Sequence, residues 1–568
     1  MRREPRWILA CANRAAPSAL SPEICALPCI AALLQRKGFL SDAAATDFLR
    51  PRLGSLRDPF LLPQMRAAVE RILRAIDSGE RIVLYGDYDV DGVTSLALLN
   101  EMLCAYGATP ALFLPLRLEE GYGLSPDGIE RCYHSHRPAL LIAVDCGTSS
   151  SIEIADLCAR GVDVIVLDHH EPKSALPKCV ALVNPKTARG CEFRYLCSVG
   201  IVFKLCHALL KTRPLPDFDL RRRLDLVALG TVADIVPLEA ENRVLVHHGA
   251  RELGRRRLLG LSKLLDLAAV RPPIVSEHIG FRLGPRLNAA GRLTTAEKAL
   301  QLLLASDLGQ AATLAAELDE QNRARQNLER ETVLAVEEKI AQANLGDAPA
   351  IVLGERGWHP GVLGIVASRI ARDYHRPTIL IGFDESGLGK GSGRSIAGLS
   401  LVAALARCAE DLEKFGGHEM AAGLTIAEER FSSFATTFTE TCRALLSPEQ
   451  LEPCLHLDAE LSLSELNWNL LQWHELLQPF GHGNPQPLFL ARHVEPAVTP
   501  QILKEKHLAL RLRQNGRCQR AIYFNAAERP LPEPPWDVAF HVGSDEYEGE
   551  VRIQVQVEAL RTAAPIEA

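Results

Sequence analysis

Residues 81–92 have the sequence RIVLYGDYDVDG, in which a short apolar run stops at three alternating aspartates. Two later runs, ALLIAV at 139–144 and VDVIVL at 162–167, have the same form and are followed by charged residues. Continuous apolar runs of this length, separated by helical stretches, are typical of buried parallel strands. Residues 80–235 are therefore predicted to form an α/β domain with polar residues at the carboxyl edge of its sheet.

The rest of the chain shows three further patterns. Residues 240–345 are rich in Leu, Ala and Arg, and the proline-free stretch 309–343 predicts one long helix that connects two lobes. From 347 to about 447 the α/β pattern returns. Short apolar segments then predict a small β-barrel, with strands at 507–513, 519–524, 537–542 and 551–557.

Composition narrows the class of protein. Of 568 residues, 47% are hydrophobic and 23% are charged, which is ordinary for a folded soluble protein and excludes a largely disordered chain. No run approaches the roughly 18 apolar residues of a membrane span, so we expect no membrane association and a cytoplasmic protein. The fifteen cysteines form no Cys-x-x-Cys pair and are expected to be reduced. A net charge of −7 gives no general attraction to nucleic acid.

Four acidic segments carry the chemistry, and each follows an apolar run. They are Gly86–Gly92 with three aspartates, Asp145 in VDCG, Asp168-His169-His170, and Asp234 after the run 224–229. Taken singly, each is explained by a helix cap or a turn. Four of them at successive strand ends of one sheet predict a shared centre, and so many carboxylates need cations to neutralise them.

The residue types indicate which cations. Carboxylates mixed with imidazole suit Mn²⁺, with Mg²⁺ as the alternative, and the lack of thiolates argues against structural zinc. Bridging carboxylates would hold two ions about 3.5–4 Å apart, an arrangement used for in-line attack of water on phosphorus. The residue types therefore predict a two-metal centre suited to attack of water on phosphorus.

These segments, in this order, resemble the DHH phosphoesterase superfamily. GKGSGRS at 389–395 and FGGHEMAAG at 415–423 resemble its DHH-associated domain, and GPRLNAAGRL at 284–293 narrows the resemblance to the RecJ-type single-strand-specific 5′→3′ DNA exonucleases. The resemblance implies an α/β fold with a parallel-sheet DHH domain (1–250), a helical region with the long connecting helix (251–345), a smaller α/β DHH-associated domain (346–450) and an OB-like barrel (451–568).

The resemblance also implies roles for the acidic segments. The direct metal ligands are expected to be Asp89, Asp91, Asp145, His169 and Asp234. Ligands of the second ion, supports or phosphate contacts are expected to be Asp87, Asp168 and His170. The segment Cys197–Gly200 departs from the small glycine-containing turn of related chains, which we expect to affect local packing and not the metal site.

Other residues are candidates for holding DNA. Gly417 and His418 are expected to present amides at the start of a helix over 419–422, although an ordinary helix cap explains them equally well. Tyr122 is a candidate for base stacking, with a core position as the alternative. Residues expected to bind the 5′-phosphate and the strand are Arg117, Arg286, Asn288, Ser392 and Arg394.

Two alternatives stay open at this point. One is a DHH phosphodiesterase of short oligonucleotides or cyclic dinucleotides, and the other is a DNA-binding scaffold without activity. The family implies single-stranded DNA as substrate, release of 5′-mononucleotides, a part in recombination and repair, and a RecQ-type helicase and single-strand-binding protein as partners. We expect the protein to act as a monomer.

Overall fold

The computed structural model describes residues 4–10, 20–116, 120–121, 123–172, 175–547 and 550–564. The chain divides into one unit of residues 1–8 with 319–455 and another of residues 9–318 with 456–568.

The strands are β1 (Arg6–Leu9), β2 (Ile82–Tyr85), β3 (Ala111–Phe113), β4 (Leu140–Val144), β5 (Asp163–Leu167), β6 (Ala181–Val183), β7 (Ile351–Arg356), β8 (Thr378–Phe383), β9 (Leu388–Arg394), β10 (Lys414–Gly417), β11 (Ala421–Ala427), β12 (Cys454–Leu457), β13 (Ala459–Glu460), β14 (Phe489–Pro496), β15 (Gln501–Leu503), β16 (His507–Gln514), β17 (Arg517–Tyr523), β18 (Trp536–Tyr547) and β19 (Glu550–Thr562).

The helices are α1 (Pro22–Cys25), α2 (Pro28–Arg36), α3 (Asp42–Leu49), α4 (Met65–Asp77), α5 (Val90–Ala105), α6 (Pro126–His136), α7 (Ser151–Ala159), α8 (Ser198–Thr212), α9 (Leu224–Ala233), α10 (Ala240–Gly254), α11 (Leu259–Leu267), α12 (Ser276–His278), α13 (Gly284–Leu293), α14 (Glu297–Leu304), α15 (Leu308–Gln342), α16 (Pro360–Tyr374), α17 (Leu401–Ala406), α18 (Phe431–Leu445) and α19 (Trp468–Leu476). None of the helices that the structure describes is both long enough and apolar enough to cross a bilayer.

The parallel sheet that the first three runs predict is present. Its strand order is β3-β2-β4-β5-β6, and every neighbouring pair is parallel. The strands β2 and β4 are fully buried because helices cover both faces of the sheet. The polar segments after β2, β4 and β5 therefore leave the sheet at one edge.

The prediction that the apolar run 224–229 is a strand is wrong. It lies in helix α9, and its residues from Leu224 to Thr231 are all buried. Helix α9 packs against α5, α8 and α10. A helix that is apolar on every side has no amphipathic period, so a short stretch of it cannot be told from a buried strand by pattern alone.

The last strands form a closed barrel. Strand β14 pairs with β18 and also with β16, which closes the ring β14-β18-β19-β17-β16. The other unit carries a second α/β sheet, ordered β10-β11-β9-β8-β7. The predicted fold class, with two α/β domains, a long helix and an OB-like barrel, is confirmed.

A buried arginine joins the barrel region to the parallel-sheet domain within their unit. The guanidinium of Arg243 on α10 donates to the backbone oxygens of Phe48 at 2.7 Å, Leu477 at 3.0 Å and Leu476 at 3.0 Å. It also stacks on the ring of Phe48, 3.7 Å from the ring centroid. Burial lowers the pKa of Arg243 to about 9, and three carbonyl acceptors offset part of the cost of burying the charge.

A buried histidine beside the barrel predicts how stability depends on pH. His474 lies against the rings of Phe480 and Phe489, and its Nε2 has no hydrogen-bond partner among the described residues. Burial, with a smaller effect of His541, lowers the pKa of His474 from 6.5 to about 4. Because the folded-state pKa is depressed, the stability is present above pH 6.5 and is lost as pH falls towards about 4.

We expect the stability advantage of His474→Leu over the unsubstituted protein to grow by up to about 3 kcal/mol over that range, at 1.36 kcal/mol per pKa unit. Denaturant unfolding at a series of pH values measures it. The exposed His456→Leu, measured in the same way, is the control for exchanging a histidine for leucine. A pH-independent difference for His474→Leu would contradict the prediction.

Candidate metal centre

The first acidic segment is fixed by the start of α5. Asp89 Oδ1 accepts hydrogen bonds from the backbone N–H groups of Asp91 at 2.9 Å and Gly92 at 3.1 Å, so Asp89 caps the helix. A Cβ on Gly92 would lie 2.4 Å from the carbonyl oxygen of Asp87. Only glycine at this position lets the backbone of Asp87 approach the helix so closely.

Asp145 follows β4 directly and is buried. Its backbone has φ 64°, in the left-handed region that non-glycine residues rarely adopt. A strained residue of this kind persists only where its surroundings determine it, and such residues cluster at functional sites.

Asp168 orients the side chain of His170. Its Oδ1 accepts from the backbone N–H of His169 at 2.7 Å and of His170 at 3.1 Å, and Oδ2 accepts from Thr148 N–H at 2.9 Å. Oδ1 also lies 2.7 Å from His170 Nδ1. Burial alone would raise the pKa of Asp168, but the hydrogen bond and charge of His170 outweigh it and lower that pKa. The geometry therefore favours Asp168 as a support for His170.

Side chains from all four segments come together. His169 Nε2 lies 3.4 Å from Asp145 Oδ1 and 3.5 Å from Asp234 Oδ2, although Asp234 follows a helix and not a strand. Three sets of ligand atoms each lie within 4.8 Å of one another: Asp87 with Asp89 and Asp145, Asp91 with His169 and Asp234, and Asp145 with His169 and His170.

The charges in this pocket repel one another. Burial first, and then the charge of Asp89, raise the pKa of Asp91 to about 7. Burial and the neighbouring carboxylates raise the pKa values of Asp145 and Asp234 well above the usual range. Close, buried carboxylates with two imidazoles are a donor set that fits Mn²⁺ or Mg²⁺, since a divalent ion neutralises the charge that burial penalises.

Sequence reasoning missed the residues that support these carboxylates. The backbone N–H groups of Ser198 and Val199 donate to Asp91, and Ser198 Oγ donates to Asp145 Oδ1 at 2.9 Å. The segment Cys197–Gly200 therefore contacts the acidic pocket directly as well as packing locally. Ser198 lies 107 positions after Asp91 in the sequence. A local sequence pattern cannot predict a contact between residues so far apart.

Helix α13 carries Arg286 and Asn288, both half-buried. A Cβ on Gly284 would lie 3.5 Å from Ala233 Cβ, beside Asp234, and one on Gly291 would lie 2.7 Å from the carbonyl oxygen of Tyr88. The two ends of α13 thus approach two of the acidic segments. Two other candidates, Arg117 and Tyr122, lie outside the described residues.

Four candidates belong to the other unit. Ser392 and Arg394 lie on β9, where Arg394 Nη1 donates to Ser392 Oγ at 3.1 Å. Gly417 ends β10, and the turn containing His418 leads into β11. The predicted helix over 419–422 is therefore wrong: these residues form the turn and the start of β11 in an antiparallel hairpin, and β11 also pairs with β9. Gly417, with φ 148°, allows the close approach of Ala421 that the hairpin requires.

Comparison with known proteins agrees with this arrangement. Three family models match the chain: the DHH family N-terminal domain over residues 81–231, the DHHA1 domain over 347–444, and the RecJ OB domain over 457–559.

Curated relatives cover most of the chain. The single-stranded-DNA-specific exonuclease RecJ of Dickeya dadantii is 36% identical over 93% of this chain and 96% of its own length. The protein of the same name from Bacillus subtilis is 36% identical over 92% of this chain and 66% of its own length. The crystal structure of RecJ in complex with Mn²⁺ from Thermus thermophilus matches with a TM-score of 0.83 and 31% identity, covering 99% of this chain and 80% of that one.

Proposed function

Because this chain belongs to the RecJ family of single-stranded-DNA-specific exonucleases, we propose that its carboxylate–histidine pocket removes nucleotides from the 5′ end of single-stranded DNA. The observation that carries the proposal is the convergence of Asp91, Asp145, His169 and Asp234 from four separate segments. The products are 5′-mononucleotides, and the reaction serves DNA recombination and repair.

We assign different roles to the residues of the pocket. Asp89, Asp91, Asp145, His169 and Asp234 would hold the ions. Asp87 would bind the second ion, and His170, oriented through Nδ1 by Asp168, would present Nε2 to that ion or to the phosphate. Mn²⁺ or Mg²⁺ held there would make a bound water more acidic than bulk water and would stabilise negative charge on phosphorus. The three hydrogen bonds from backbone N–H groups fix the Asp168 carboxylate, whose Oδ1 lies 2.7 Å from His170 Nδ1.

The barrel supplies a basic surface for the rest of the strand. Arg511 on β16 lies directly opposite Arg520 on β17, and both side chains are exposed. Like charges directly opposite in a sheet are unfavourable, and a phosphate between them would relieve the repulsion. This supports electrostatic contact with the backbone of single-stranded DNA.

The finer assignments are part of the same proposal. We assign residues 1–250 to the DHH domain, 251–345 to the helical region, 346–450 to the DHH-associated domain and 451–568 to the OB-like domain. The protein works in the cytoplasm as a monomer, beside a RecQ-type helicase and a single-strand-binding protein.

One assay separates this function from its alternatives. The substrates are 3′-labelled single-stranded DNA, blunt duplex DNA and cyclic and linear dinucleotides, each with Mn²⁺, Mg²⁺ or a chelator. We expect the single strand alone to be shortened progressively from its 5′ end, and only with a metal. Hydrolysis of dinucleotides alone would favour the small-substrate phosphodiesterase, and no hydrolysis of any substrate would favour the inactive scaffold.

Arg394 gives a test of how the 5′ end is recognised. Its guanidinium and the Ser392 hydroxyl lie side by side on β9, a pairing suited to a terminal phosphate. We expect Arg394→Ala to raise KM about tenfold for 5′-phosphorylated strands, because a charge-assisted hydrogen bond contributes roughly 1.5–3 kcal/mol. Strands with a 5′-hydroxyl should show little change, and an equal change for both strands would contradict the role. The exposed Arg407→Ala, in the same unit, is the control.

A further inference from the structure

One residue in the first turn of α8, Ser198, contacts two carboxylates of the pocket. Ser198 N donates to Asp91 Oδ2 at 2.6 Å, and Ser198 Oγ donates to Asp145 Oδ1 at 2.9 Å. Ser198 is fully buried, and Asp91 and Asp145 are 1% and 2% exposed. In such surroundings water cannot replace a lost donor, so each hydrogen bond fixes the orientation of its carboxylate.

Helix α8 depends on the same contacts. Its N-cap residue, Cys197, provides no side-chain cap. Asp91 takes that place from helix α5, because its two oxygens accept from the N–H groups of Ser198 at 2.6 Å and Val199 at 2.8 Å. The positive end of the α8 dipole faces the carboxylate and favours its charged form. Asp91 is thereby held at both oxygens before any ion arrives.

Ser198 reaches both carboxylates through hydrogen bonds. Its backbone fixes Asp91, and its hydroxyl fixes Asp145 relative to Asp91. The backbone of Asp145 is itself strained, at φ 64°, and such a conformation persists only where surrounding contacts, of which the Ser198 hydrogen bond is one, determine it.

We propose that Ser198 is a positioning residue for the metal centre, which presents Asp91 and Asp145 to a divalent ion as a pre-formed pair. The inference rests on the proposed function only in taking Mn²⁺ or Mg²⁺ as the ligand of the pocket. Supports of this kind around metal ligands typically change metal affinity 10–100-fold. Mg²⁺ demands near-ideal octahedral geometry, so binding of Mg²⁺ depends on the support more than binding of Mn²⁺.

The test is direct metal binding by the full chain. Free Mn²⁺ is followed by electron paramagnetic resonance during titration of Ser198→Ala, and Mg²⁺ is measured by competition. We expect the Mn²⁺ affinity to fall about 10–100-fold and the Mg²⁺ affinity to fall further. Ser198→Cys nearly keeps the size of the side chain and retains a weak donor. Its Mn²⁺ affinity should therefore lie between those of Ser198→Ala and the unsubstituted protein.

A matched control separates positioning from a general loss of packing. Thr332 is buried on α15, and its hydroxyl donates to the backbone oxygen of Leu328 at 2.7 Å. Thr332→Val removes such a hydroxyl and should leave the Mn²⁺ affinity unchanged. The melting temperature of each metal-free variant shows whether it is folded.

Two results would overturn the inference and leave the proposed function standing. One is an unchanged Mn²⁺ affinity in Ser198→Ala. The other is an equal loss of affinity for Mn²⁺ and Mg²⁺ in Ser198→Ala, together with a lower melting temperature of the metal-free variant. That result would show that Ser198 has only a structural role. If the unsubstituted chain binds neither ion, the proposed function fails together with the inference.

Discussion

Asp145→Asn is expected to lower kcat on single-stranded DNA at least ~10³-fold, a change of about 4 kcal/mol in the activation free energy. Asp145 belongs to two of the three ligand groups, and its Oδ1 lies 3.4 Å from His169 Nε2. Asparagine keeps the shape of the side chain but removes the charge that attracts the ions. A discontinuous assay of nucleotide release at saturating Mn²⁺ measures the loss.

The same substitution should not destabilise the metal-free protein. Burial and the surrounding carboxylates raise the pKa of Asp145. As pH rises from the ordinary aspartate pKa towards the folded-state pKa, the unfolded chain releases this proton before the folded protein does, so stability is lost. Asparagine does not ionise, so the stability of the variant relative to the unsubstituted protein should increase as pH rises in the presence of a chelator.

The exposed Asp217→Asn is the control for the loss of activity. Full activity in Asp145→Asn would contradict the proposed centre.

Gly230→Ala is expected to have the second largest effect. A Cβ at this position in α9 would lie 2.5 Å from Thr94 Oγ1, 2.8 Å from Val199 Cγ1 and 3.0 Å from Asp91 Oδ1. All three neighbours are buried and cannot move aside freely. We expect a loss of about 1–3 kcal/mol in stability from overpacking and at least a ~10-fold loss in Mn²⁺ affinity from displacement of Asp91.

Denaturant unfolding and Mn²⁺ titration measure the two effects of Gly230→Ala separately. Gly54→Ala is the matched control, because no atom lies within 4 Å of a Cβ there. Wild-type stability together with wild-type Mn²⁺ affinity in Gly230→Ala would show that α5, α8 and α9 do not hold the site rigidly.

The parts of the fold that sequence predicted are those with a local signal. Strands β2, β4 and β5 are continuous apolar runs, and the long helix α15 lacks proline throughout. The two errors, the run 224–229 and the segment 419–422, arise where tertiary packing decides. Helix α9 is surrounded by other helices, and 419–422 follow β10 in a hairpin whose second strand, β11, is paired with β9.

The candidate site divides in the same way. Aspartates and histidines directly after apolar runs could be found because parallel strands end at one edge of a sheet. Asp234 was found by the same rule although its run is helical, since the end of α9 reaches the same pocket. Thr148, Asn184 and Ser198, which hold the acidic segments through hydrogen bonds, are ordinary polar residues in sequence. Each of them is separated in sequence from the residue that it contacts; Ser198 and Asp145, for example, are 53 positions apart.

The guanidinium of Arg243 links helix α10 to the segment that precedes the barrel. Two of its three acceptors, the backbone oxygens of Leu476 and Leu477, belong to residues just before the barrel. A chain shortened before them would leave two donors of a buried cation unsatisfied and would uncover the apolar side of the amino-terminal helices. Removing the segment that carries Leu476 and Leu477 should therefore loosen the anchoring of α10 and of the amino-terminal helices.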